Sequence, residues 1–345
     1  MIFDRQKLLV SLKQCMPGID ESLIGSDTFT FYNGRIYTYN EALSISKKID
    51  FCSENEVGKL KFAIKGEDFY KIIEKFKFDE IKVEITENSL KMSCDKSKVE
   101  LPFIEFEFEK RFDMFENLDG WEDVDENIIN GIVMCRILNN KSTLNGIFIS
   151  EYNVYSTDGY QINKFKLNKK IKDFYIDDKT AQELVKFSNF KKILIGKWLH
   201  LMNEEETIFS VRLMEFEKYP VDKIENIFDS VDFETKKYTL PEDLIEVVDR
   251  ASVFGADIES RNVIELTFYE NKIKVSSERN SGKFCEEMEL NYSFDFEKPI
   301  SIFIDKDMIL YALKNNMEFK ILNNTPPRIY LTTEHSMHIM STFEG

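Results

Sequence analysis

The feature that most constrains this chain is a recurring order of elements: a helix, alternating strands, a second helix and more strands, three times in 345 residues. In the first block Leu8, Leu9 and Leu12 form the apolar stripe of a helix over 4–15. Strands are predicted at 28–32 and 35–39 around an Asn33-Gly34 hairpin turn, with a further extended run over 43–51. A helix over 67–77 turns Phe69, Ile72, Ile73 and Phe76 inward, and strands follow at 81–86, 90–94 and 99–108. The second block reads as a helix over 125–141, three strands within 147–167, a helix over 177–192 and strands over 193–216. The third has a helix over 241–257 with Pro241 early, strands at 263–269, 272–276 and 283–290, a helix over 305–317, and strands at 319–322, 328–332 and 336–340. First helices begin at 4, 125 and 241, second helices at 67, 177 and 305. Equivalent contents at so long a period imply repeated domains. The expectation is an α+β chain of three copies, 1–118, 119–232 and 233–345, each with two helices packed on β-sheets, six helices in all.

A formal net charge of −16 argues against a protein that coats nucleic acid with its whole surface, because phosphate contact needs lysine and arginine. The deficit is uneven: the six helical stretches carry about −1 and the remaining residues about −15. Within the helices acids lie early and bases late, as helix dipoles favour without any ligand. A shared, mildly basic helical face toward phosphates, with acidic strands outside, is the functional alternative. No run reaches the roughly 18 apolar residues of a membrane span, and the opening Met-Ile-Phe-Asp-Arg-Gln-Lys lacks a signal-peptide pattern, so a cytoplasmic protein is expected. Cys15, Cys52, Cys94, Cys135 and Cys285 are odd in number and widely spaced, which suits reduced thiols rather than a disulfide framework or zinc site.

The stretch 144–167 reads as strand, turn, strand, turn, strand. Tyr152-Asn153 offers the first turn, and Asp158-Gly159 supplies the positive φ of the second. Leu144-Asn145-Gly146 followed by Ser156-Thr157-Asp158-Gly159-Tyr160-Gln161-Ile162 resembles the signature of the bacterial β sliding clamp, the processivity subunit of DNA polymerase III. Tyr219-Pro220-Val221-Asp222, Arg250-Ala251-Ser252-Val253, Glu286-Glu287 and the stretch 305–313 are similar to later family features, so the likeness runs through the whole chain, most clearly from about residue 120.

The resemblance implies a head-to-tail homodimer closed into a ring around duplex DNA, bound without regard to sequence, with no cofactor and no catalytic residue. Its partners would be a DNA polymerase and a clamp loader, each inserting a short peptide into one pocket. Carried over by position, that pocket would use Leu144, Thr157, Gly159, Tyr160, Gln161, Ile162, Pro220, Ile224, His338, Met340 and Phe343. The DNA-facing set would be Arg5, Lys7, Lys13, Lys71, Lys75, Arg136, Asn140, Lys141, Lys186, Lys191, Lys192, Arg250 and Lys314. Three departures stand out. Gln161 replaces the family's usual arginine, the ending Met340-Ser341-Thr342-Phe343-Glu344-Gly345 replaces its usual tail, and the loop 17–25 lacks a basic residue. They suggest a phage-encoded or accessory clamp with its own peptide specificity.

Two rival readings differ in class. An enzyme could use the abundant carboxylates, yet there are only three histidines, no glycine-rich phosphate loop and no serine-centred elbow. His335 and His338 could ligate a metal from neighbouring strand positions, but three apart they point to opposite faces of a strand, which favours solvated or packed histidines. A clamp-like scaffold or decoy would bind replication proteins without encircling DNA, a reading kept open by the altered pocket and the acidic helix at 241–257.

Overall fold

The computed structural model describes every residue except 23, 24, 41, 108–110, 116, 117, 138–141, 143, 216–218, 232–236, 259, 260, 316, 323–326, 344 and 345. Its described α-helices are α1 (Arg5–Cys15), α2 (Glu54–Val57), α3 (Gly66–Lys75), α4 (Ile128–Cys135), α5 (Asp178–Leu184), α6 (Val221–Asp229), α7 (Leu244–Ala251) and α8 (Lys306–Lys314). Six stand in the expected places. The other two, α2 and α6, were not predicted, although Ile224 and Phe228 give α6 a buried i, i+4 pair.

Backbone pairing makes the repeat explicit. Each block opens with a short strand that leads toward its first helix and pairs antiparallel with the strand after its second helix. Ile2–Asp4 pairs with Glu80–Ile85, Glu122–Asp123 with Phe190–Ile195, and Tyr238–Thr239 with Glu318–Leu322. Each block also runs a strand directly into its second helix, with no residue between: Phe62–Lys65 into α3, Gln161–Asp177 into α5 and Ile300–Asp305 into α8. The expected hairpin at Asn33-Gly34 is present, with φ of 44° and 75° at the two residues.

The chain packs as two compact units, Met1–Ile129 with Phe174–Glu215, and Asn130–Asp173 with Phe216–Gly345. The expected first domain lies whole in one unit, the expected third in the other, and the middle one is shared between them. Continuous β-ladders account for this partition. In the first unit Leu43–Lys48 pairs with Ile208–Arg212 inside an eight-stranded sheet, so the first and middle stretches share one set of hydrogen bonds. In the second, Gln161 to Phe165 pair with Ser336 to Met340 inside a six-stranded sheet and join the middle stretch to the last. A four-stranded sheet completes the first unit and a five-stranded sheet the second.

Several boundaries differ from expectation for identifiable reasons. The helix expected over 177–192 ends at Leu184, and Asn189 takes a left-handed φ of 61° before the strand Phe190–Ile195. Phe190 then stacks edge-on with Phe209, and Ile193 is buried, so packing overrides the helical spacing of this stretch. Lys191 and Lys192 therefore lie on a strand and do not close a helix. The helix expected over 241–257 is α7 followed by a 3-10 turn, Ser252–Phe254, and a strand, Ala256–Ile258. The helix expected over 125–141 is described as Ile128–Cys135. Around the expected Tyr152-Asn153 turn the strand is continuous from Gly146 to Thr157, with Glu151 left-handed at φ 52° and both Glu151 and Tyr152 exposed.

Each unit has its own core. In the second, Leu244, Val247, Val248 and Ala251 of α7, at i, i+3, i+4 and i+7, and Met308, Ile309, Ala312 and Leu313 of α8, at i, i+1, i+4 and i+5, join one cluster with Leu266, Phe268 and Ile304. In the first, Phe31 is fully buried among Phe51, Phe62 and Phe69, with ring centroids 6.4, 4.7 and 6.0 Å away. Cutting Phe31 to alanine removes contacts with all three rings. We expect F31A to lower the unfolding free energy by about 3–5 kcal/mol, read by urea denaturation.

Candidate functional site

The Asp158-Gly159 turn is built by its own side chain. Asp158 Oδ1 accepts the N–H groups of Tyr160 and Gln161 at 2.9 and 2.8 Å, while Gly159 supplies a φ of 91°. Asp158 Oδ2 receives Arg261 Nη2 at 2.5 Å, and Arg261 Nη1 lies 3.2 Å from Asp305 Oδ2. The side chains of Asp158 and Asp305 are 2% and 8% exposed, so the guanidinium balances two nearly dry carboxylates. Burial opposes the charge on Arg261, but the bonds and charges of Asp158 and Asp305 outweigh it and hold its pKa above the ordinary value. Burial likewise raises the Asp305 carboxyl despite its bonds to Asp307 N–H and Arg261. Asp305 Oδ1 also caps α8 by accepting the Asp307 N–H at 2.9 Å.

Above this ion cluster lies an aromatic pair. Arg261 stands 4.8 Å from the Tyr160 ring centroid, and Tyr160 stacks on Phe343 at 5.7 Å with 24° between the planes. The Ser341 N–H donates to Tyr160 O at 2.7 Å and the Phe343 N–H to Phe303 O at 2.8 Å, which fixes the last described residues beside the turn. The antiparallel register places Gln161 opposite Met340, Ile162 opposite Ile339 and Asn163 opposite His338.

Thr157, Gly159, Tyr160, Gln161, Ile162, His338, Met340 and Phe343 are thus gathered by one turn and one ladder, but they do not form a single lining. Neighbours on a strand face opposite sides, so Gln161 goes with Met340 and His338, while Ile162 goes with Ile339. Met340 is buried in the core cluster of α7 and α8, and His338 is 0% exposed. His338 Nδ1 pairs with Asn163 Oδ1 at 2.8 Å, and Asn163 Nδ2 donates to Ser156 Oγ at 3.0 Å, forming an interior polar chain. Ile224 of α6 is also buried, behind half-buried Pro220, whose carbonyl accepts the Ile224 N–H at 3.1 Å. Glu225 of the same helix binds Tyr155 Oη at 2.5 Å and Lys164 Nζ at 2.6 Å, tying α6 to both long strands. Half-buried Leu144 donates its N–H to Ser142 Oγ at 3.2 Å in the turn before Gly146–Thr157. The groups best able to meet a ligand are therefore Tyr160, Gln161, Ile162, Pro220 and Arg261. Sequence reasoning missed Arg261, because no local pattern links it to an aspartate 103 residues away.

The expected DNA-facing cations divide in the same way. Arg5 closes α3 by donating to Ile73 O and Glu74 O at 3.0 and 2.7 Å. Lys71, Lys186, Lys191, Lys192 and Arg250 pair with Glu67, Glu183, Glu204, Asp123 and Glu286. Lys7, Lys13, Lys75 and Lys314, on α1, α3 and α8, are exposed and make no ion pair among the described residues. Arg136 is half-buried just beyond α4, and Asn140 and Lys141 lie outside the described residues. Cys15 and Cys135 are fully buried; burial pushes the Cys15 thiol up to about 12 and raises that of Cys135 as well, which disfavours the thiolate. Among the described residues no group of three metal-ligating side chains occurs, and no helix is long and apolar enough to cross a membrane.

Two measurements test this geometry. Arg261→Leu leaves two buried carboxylates facing each other, and we expect it to lower the unfolding free energy by about 3–5 kcal/mol in urea titrations. Burial depresses His338 to about 3, against about 6.5 in an unfolded chain, so its contribution is full above pH 6.5 and is lost as pH falls toward 3. His338→Gln should therefore remove about one proton, roughly 1.4 kcal/mol per pH unit, from the slope of unfolding free energy between pH 6 and 4.

No family profile and no curated protein matches the sequence. Solved structures do match along the whole length. A Helicobacter pylori beta clamp in complex with 3,4-difluorobenzamide aligns at 18% identity and a TM-score of 0.79, covering 100% of both chains. The H. pylori beta clamp bound to a DNA ligase peptide aligns at 17% and 0.77, again over 100% of both chains. A DNA polymerase sliding clamp from Pseudomonas aeruginosa aligns at 14% and 0.78, covering 100% of this chain and 99% of that one. The chain therefore has the fold of the bacterial β clamps, with their three-block α+β architecture.

Proposed function

We propose that the protein is a DNA sliding clamp: two copies close head to tail around duplex DNA and tether a polymerase, without catalysing a reaction. The observation that carries this reading is the end-to-end match to clamp structures, together with six of the eight described helices standing in three equivalent blocks. Retention by topology suits an acidic protein, because a ring that slides needs weak, sequence-independent phosphate contacts. Lys7, Lys13, Lys75 and Lys314 are the cations we assign to that contact, since their ammonium groups are not neutralised by a neighbouring carboxylate among the described residues. The polymerase and a clamp loader would each dock a short peptide at Tyr160 and Ile162, beside the fixed Arg261 charge. One H. pylori neighbour carries a DNA ligase peptide, which supports peptide docking as the mode of partner capture. The altered tail and Gln161 support a peptide specificity of its own, as in a phage-encoded or accessory clamp acting in the cytoplasm.

Primer extension on a primed single-stranded circle, with the matching polymerase and loader, tests this directly. Product length should rise with the protein, and Tyr160→Ala combined with Phe343→Ala should abolish the rise while leaving the oligomeric mass unchanged. A wild-type protein that leaves product length unaltered would favour a scaffold that binds replication proteins without encircling DNA.

A further inference from the structure

The first unit holds a cleft of about 620 Å³ that none of the preceding assignments uses. Three aromatic residues, Tyr39, Phe106 and Trp198, and three acids, Glu105, Glu107 and Asp113, line it. Sheet register places two of the rings on one face. Tyr39 sits opposite Ser44, Ser44 opposite Ser210, and Ser210 opposite His200, so all four side chains share one face. Trp198, two residues before His200, shares that face too. Ser44, Ser210 and His200 are buried, and of this row Tyr39 and Trp198 reach the cleft and form one wall of the trough. Phe112 and Met114 pack on Tyr37 at the same face, and Phe106, Tyr39 and Trp198 gather against them, which gives the trough its second wall.

The chemistry of the lining selects its ligand. Arg111, the one lining cation among the described residues, donates to the Gly25 carbonyl, so its guanidinium is engaged with backbone. Glu105 and Asp113 are exposed at the mouth and repel phosphate and carboxylate. Aromatic faces beside carboxylates attract a planar cation on an apolar stem, which stacks on the rings and forks its N–H groups to the acids. The volume falls within the ordinary range for sites that enclose a small ligand or a few side chains, roughly 300–1,000 Å³. We infer that this cleft is a second partner-binding site, which takes an extended segment of another protein through an arginine flanked by apolar residues. It does not depend on the Tyr160 surface.

The probe is a fluorescein-labelled peptide, acetyl-Gly-Leu-Arg-Leu-Gly-amide, titrated by anisotropy against the full chain, with citrulline replacing arginine as the neutral control. The arginine peptide should bind at least tenfold tighter than the citrulline peptide, and added salt should weaken it. Glu105→Gln with Asp113→Asn, both at exposed positions, should reduce its affinity at least tenfold without moving the thermal midpoint. Trp198→Phe should reduce it several-fold, and Tyr160→Ala should leave it unchanged. Absence of saturable binding at millimolar peptide, equal affinity for the two peptides, or loss of binding in Tyr160→Ala but not in the double variant would each overturn the assignment.

Discussion

The short ladder between Gln161–Phe165 and Ser336–Met340 is the constraint on which the second unit depends. It brings residues some 175 positions apart into register, and with them the Asp158 turn, the last described residues and the Asn163–His338 pair. A ladder of backbone hydrogen bonds is directional and tolerates no slip, because a shift of one residue exchanges the two faces of the sheet. Here such a shift would take Met340 out of the core of α7 and α8 and turn Lys164 toward it. The candidate binding surface is therefore a by-product of a register that the core already enforces.

The Arg261 cluster shows a different balance. Holding a guanidinium between two nearly dry carboxylates gains little net stability over a well-packed apolar set, yet removing any one member is expensive. What the arrangement secures is position: Asp158 holds the turn, Asp305 holds the start of α8, and Arg261 binds both beneath Tyr160. A turn, a helix start and an aromatic face are thus fixed by a single side chain. That rigidity would suit the peptide docking proposed for this surface, since contacts held ready-made cost less ordering on binding.

Much of the architecture was legible in the sequence because it rests on local periodicity. The stripes of α1, α3, α7 and α8, the Asn33-Gly34 hairpin and the Asp158-Gly159 turn all have signatures within a few residues. The order of elements carried the threefold repeat even where boundaries drifted. Long-range pairing was less legible. Nothing near Asp158 announces Arg261, and nothing in 187–195 announces that Phe209 would draw Phe190 into a sheet. Transferring a pocket by position gathers residues of one turn and one ladder, but motif similarity does not distinguish Tyr160, which meets solvent, from His338, which does not.

In all three blocks a strand becomes the second helix with no intervening residue. Such a joint has no slack. An α-helix advances 100° and 1.5 Å per residue, so one residue inserted after Lys65, Asp177 or Asp305 would rotate the helix behind it by more than a quarter turn and carry its apolar stripe away from the sheet. The direction in which each of these helices presents its outer face is thus set by sheet register alone. Evolution can change the charges on that face freely, but it can re-aim the face only by rebuilding the sheet.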